Sequence, residues 1–133
     1  MKHAPAIFLT LFIAAGLGLV GAGVRASNHW MFDNPREPEM TPALNLGKMN
    51  YDTYCASCHG KTARGTDKGP TFISKIYHPG HHGDGAFFLA PRNGVRAHHW
   101  PFGNMPPVEG VNDAQLQSIL QYVRAVQQSN GLF

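Results

Sequence analysis

The chain predicts a small all-α domain of about three to four helices, and three features carry that expectation. An amphipathic repeat near the C-terminus holds helical spacing over several turns. No convincing strand pattern and no internal repeat is present. Between Gly60 and Pro107 the chain is rich in Gly, Pro and His without a sustained period, as expected of a segment wrapped around a bound group rather than packed on itself.

The apolar stretch from Ile7 to Val24 follows Lys2 and reads as an export signal that adds nothing to the fold. Val24 and Ala26 are small residues at the two positions a signal peptidase reads, so residues 1–26 form the expected leader. Cleavage would leave 107 of the 133 residues, enough for one domain. An uncleaved anchor is the rival reading, weakened by a length near the lower limit for crossing a bilayer and by Gly16, Gly18, Gly21 and Gly23.

Residues 27–42 carry Pro35, Pro38 and Pro42 with several charges and no apolar period, which predicts an extended arm. The domain proper is expected over residues 43–133. Its first helix begins near Ala43, with Gly47, Tyr51 and Tyr54 on one face, and runs into a cysteine pair at its C-terminal end. Further on, Asp84 reads as the N-cap of a short helix that Pro91 should kink or end, with Gly94 as a later stop. In the last helix Asn112 and Gln115 form a capping pair ahead of Leu116, Ile119, Leu120, Val123 and Val126, and Asn130-Gly131 ends it.

Cys55-Ala56-Ser57-Cys58-His59 carries the chemistry. Cysteines at i and i+3 face one side of a helical turn, where both sulfurs reach the two vinyl groups of one porphyrin, and the following imidazole lies beneath the iron. The signature therefore predicts one covalently attached haem c, bonded by Cys55 and Cys58 and ligated by His59. A redox dithiol or half of a zinc site is the alternative, and zinc would have to recruit histidines because no other cysteine exists. Thioether attachment takes place outside the bacterial inner membrane, so the expected location is the periplasm, with membrane attachment only if the leader is retained. Met105, in Gly103-Asn104-Met105-Pro106-Pro107, is the candidate for the second axial position, because the prolines would hold a rigid loop against the haem face. Core filler is the ordinary role of a lone Met, but Met31, Met40 and Met49 lack this context.

The pattern resembles the class I monohaem c-type cytochromes of bacteria: Gly47 and Tyr51 on a first helix, Cys55-x-x-Cys58-His59-Gly60, Gly69-Pro70, Met105-Pro106-Pro107, and Tyr122 on a terminal helix. The resemblance covers about residues 43–128 and implies a cytochrome c-like fold around the haem. It implies that the Pro70 carbonyl accepts the His59 Nδ1 proton, and that Gly47, Tyr51 and Tyr122 mark the crossing of the first and last helices. Trp100 and Phe102 are expected to wall the haem pocket.

His78, His81, His82, His98 and His99 depart from the family pattern. They read as hydrogen-bonded loop residues, as a second metal site for copper or zinc, or as a replacement for Met105 on the iron. The formal charge of +3 falls to +1 without the leader, which excludes nucleic acid as a partner. Lys61, Arg64, Lys68, Lys75, Arg92 and Arg96 face only Asp67 and Asp84 within residues 61–100, so the middle of the chain is basic and suits acidic redox partners. The function expected is one-electron transfer, not catalysis, with His59 and Met105 on the iron. The alternative is a haem relay in a copper-handling oxidase system with a further histidine site. A peroxidase would need an open iron or a second haem, and neither is indicated.

Overall fold

A computed structural model of the chain describes residues 30–133. The leader expected over residues 1–26 lies outside the described residues. Four α-helices follow the arm: α1 (Pro42–Tyr54), α2 (Ala56–His59), α3 (Asp84–Asn93) and α4 (Asp113–Ser129). Tight 3₁₀ turns cover Lys61–Ala63 and Lys75–Tyr77. Among the described residues there is no strand, and no helix is long and apolar enough to cross a membrane.

Helix α1 starts one residue before the expected Ala43. The Thr41 hydroxyl accepts from the Leu44 N–H at 3.2 Å, and Pro42 occupies the first turn, where a missing N–H costs nothing. Helix α4 has the full reciprocal cap: the Asn112 side chain accepts from the Gln115 N–H and the Gln115 side chain from the Asn112 N–H, both at 2.9 Å. Its buried face carries Leu116, Ile119, Tyr122, Val123 and Val126. Each such side chain contributes about 1.5–3 kcal/mol, against about 1 kcal/mol for the cap, so packing fixes this helix.

The partner of that face is α1. Gly47 and Tyr51 are its two buried residues, and the Tyr51 and Tyr122 rings lie 5.4 Å apart between centroids. A Cβ on Gly47 would overlap the Ser118 carbonyl oxygen and stand 3.0 Å from the Tyr122 Cβ, so this crossing requires the absence of a side chain.

Helix α3 corrects one expectation and meets another. Gly83, not Asp84, is the N-cap, because the Asp84 carboxylate instead accepts from the Arg124 Nε at 2.9 Å. The helix passes Pro91 and ends at Asn93, with Gly94 as the expected stop: the Gly94 N–H closes the last turn on the Ala90 carbonyl at 2.9 Å, and the Pro91 carbonyl accepts from the Val108 N–H at 2.7 Å.

The arm is fastened at several points along its described part. The Trp30 carbonyl accepts from the Thr71 N–H at 2.6 Å and the Phe32 N–H donates to the Arg64 carbonyl at 2.7 Å. Further along, the Glu37 carboxylate accepts from the hydroxyls of Thr62 at 2.6 Å and Tyr122 at 3.0 Å.

Candidate haem site

Cys55 sits at the break between α1 and α2. Its N–H caps α1 on the Tyr51 carbonyl at 2.8 Å, while its own carbonyl accepts from the His59 N–H at 3.0 Å. Cys58 lies within α2, so one helical turn presents both thiols to one cavity of about 470 Å³. That volume falls in the range of cofactor sites. Burial, reinforced by the nearby Cys58, pushes the Cys55 thiol up to about 12.

His59 is only 8% exposed, and its Nδ1 lies 2.9 Å from the Pro70 carbonyl. A carbonyl can only accept, so Nδ1 carries the proton and the Nε2 lone pair is left for a metal. Burial lowers the His59 pKa, with the Pro70 carbonyl opposing that shift. Phe72 stacks on the ring at 4.2 Å.

The chain can wrap this imidazole closely because it takes unusual backbone angles. Gly60, Thr62 and Ala63 have φ of 75°, 52° and 57°. Such a conformation costs a non-glycine residue about 1–3 kcal/mol. It is held by the Thr62–Glu37 hydrogen bond and by the Ala63 carbonyl, which accepts from the Thr71 hydroxyl at 2.8 Å and the Phe72 N–H at 2.9 Å.

Met105 is half-buried on the wall of the same cavity. Its backbone forms an isolated antiparallel bridge with Val95, both N–H···O distances being 2.9 Å. The neighbouring Asn104 side chain accepts from the Ala97 N–H at 2.9 Å. The position of this loop therefore rests on main-chain pairing as well as on Pro106 and Pro107. Pro70, Trp100 and Phe102 also line the cavity. The Trp100 indole donates to the Tyr77 hydroxyl at 3.1 Å, and Phe102 meets Trp30 edge to face at 5.8 Å.

The histidines divide. His81, His82 and His99 come together with one ligand nitrogen each, all within 4.8 Å of one another. His98 adjoins them, its ring 4.3 Å from that of His99. His78 is turned elsewhere: its Nδ1 accepts from the Gly80 N–H at 3.0 Å and its ring meets Phe133.

Three residues that support the site were not singled out from the sequence. Arg124 donates to the carbonyls of Tyr77 at 2.7 Å and His82 at 2.9 Å. Gln127, fully buried, donates to the Phe72 carbonyl at 2.8 Å. Both fall at i+4 from an apolar residue of the buried stripe, Leu120 and Val123, and a polar residue in that register was the available signal. Glu37 had no such signal, because its partners are distant in sequence.

A helical domain whose apolar cavity is edged by two thiols one turn apart, an oriented imidazole and a thioether has the donor set of a covalent haem-binding protein. The residues present fit that group. The chain belongs to the cytochrome c family, whose profile, described as cytochrome c, matches residues 44–127. Its members are electron-transfer proteins carrying haem c, and they exchange electrons with redox partners. No curated protein and no solved structure matches the chain. Nothing in these comparisons points to copper.

Proposed function

We propose that this chain is a one-electron carrier of the periplasm, with haem c bonded through Cys55 and Cys58 and held between His59 and Met105. The observation that supports it most is that the Pro70-oriented imidazole and the Val95-bridged methionine sit on the walls of one apolar cavity. When bound, haem supplies a Fe(III)/Fe(II) couple, and a thioether ligand raises its potential.

The protein's own residues do the remaining work. Pro70 holds the His59 proton on Nδ1 and orients the ring. Phe72, Trp100 and Phe102 keep the site apolar. Lys61, Lys68, Lys75 and Arg96 are exposed and would steer an acidic partner to the cavity edge, whereas Arg92 is committed to Asp113.

Optical spectra of the wild type and of Met105→His test the ligand set. The oxidised wild type should show the iron–thioether charge-transfer band, and the variant should lose it and have a lower reduction potential. A wild-type spectrum without that band would overturn the assignment.

A further inference from the structure

We propose that His81, His82 and His99 form a site for one divalent transition-metal ion of the zinc and copper class. The site joins the loop ahead of α3 to the loop that carries Met105. Three ligand nitrogens already lie within 4.8 Å of one another. Tetrahedral zinc with bonds of about 2.0–2.1 Å sets its nitrogens about 3.3–3.4 Å apart. His81 and His99 are exposed, so their side chains have room to rotate and close that difference.

The orientation of His82 supports the same reading independently. Its Nδ1 lies 2.6 Å from the Ile76 carbonyl, so Nδ1 holds the proton and Nε2 presents a lone pair. A backbone carbonyl on the far nitrogen is the usual support of a metal-bound imidazole. His98 is arranged alike, with Nδ1 2.7 Å from the Arg96 carbonyl, and beside His99 it can supply a fourth ligand in place of water.

The backbone beneath the site is held. The His81 and His82 N–H groups both donate to the His78 carbonyl, at 2.8 and 2.9 Å, and Arg124 secures the His82 carbonyl. The guanidinium is a cation close to the site, and Asp84 at 2.8 Å offsets its charge. On the other side, the Val95–Met105 bridge and the Ala97–Asn104 hydrogen bond hold the His99 loop. Imidazoles without a carboxylate favour zinc and copper over magnesium or calcium.

His82, His98 and His99 also line the haem cavity, so the haem spectrum is followed alongside metal binding to tell this site from a change of axial ligand. Tag-free holoprotein is titrated with Zn²⁺ by calorimetry in excess Mg²⁺, and its thermal unfolding midpoint is followed with and without Zn²⁺. The expected result is one ion bound per chain through these residues and a raised midpoint. Losing even a supporting partner of a ligand costs about 10–100-fold in affinity, so His81→Ala and His99→Ala should each weaken binding at least that much. His78→Ala should leave it unchanged, and all three variants should keep the wild-type haem spectrum, which shows that they fold. Absence of binding, or Zn²⁺ affinity indifferent to His81→Ala and His99→Ala, would overturn the proposal.

Discussion

Gly47→Ala tests the helix crossing on which the domain is built. The added methyl would overlap the Ser118 carbonyl oxygen, a backbone atom of α4 that no rotamer change can clear, and would press on the Tyr122 Cβ at 3.0 Å. The helices would have to part by about 1 Å, and a gap of that order forfeits a quarter to a half of the attraction at each contact. Overpacking of this kind costs about 1–3 kcal/mol, and the clash with backbone places it at the upper end. Alanine's better helix propensity returns about 1 kcal/mol, leaving a net loss of about 2 kcal/mol. For a domain of this size that is a fall of about 8–16 °C in unfolding midpoint. Thermal unfolding of the holoprotein, followed by far-ultraviolet circular dichroism and by the haem absorbance, measures it. A Gly47→Ala variant as stable as the wild type would show that the crossing does not need the bare backbone.

Two further outcomes follow from the same contacts. Arg124→Met keeps an apolar stem against Phe87 but removes the donor to the His82 carbonyl and the main donor to that of Tyr77, where Gln127 remains at 3.3 Å. It should cost about 2–3 kcal/mol and speed amide exchange over residues 77–82, and a loss below about 0.5 kcal/mol would refute the anchoring role. The second concerns acid: burial lowers the folded-state pKa of His59 below its unfolded value of about 6.5, so the unfolded chain binds a proton that the folded chain does not. The stability this confers is complete above about pH 6.5 and is lost as pH falls toward the folded value. For chain to which haem has not been attached, guanidinium midpoints should therefore drop between pH 7.5 and pH 5, and equal midpoints would contradict burial of this imidazole.

Much of the fold was legible because its determinants are local. Spacing in α4 is set by a repeat along one face, its start by two residues three apart, and the cysteine-to-histidine turn by five consecutive residues. Family resemblance added the Pro70 carbonyl and the Gly47–Tyr122 crossing, which no local pattern specifies. What escaped is long-range and polar. The Asp84 carboxylate matched a cap in isolation, but Arg124, forty residues away, draws it off. The Gly94 stop of α3 was local and legible, whereas the Val108 N–H that meets the Pro91 carbonyl comes from beyond the Met105 loop. The grouping of His99 with His81 and His82, with His78 left out, likewise depends on how two loops meet.

The arm has a mechanical consequence. Trp30 lends its carbonyl to Thr71, next to the proline that orients His59, and its ring abuts Phe102 on the cavity wall. Trp30 therefore contacts both the Pro70–Thr71 turn and the Phe102 wall of the cavity. Further along, Glu37 grips Thr62 and Tyr122. From Trp30 to Glu37 the arm is thus tied to residues that frame the cavity, so removing it should loosen the surroundings of Pro70 and of Phe102 together.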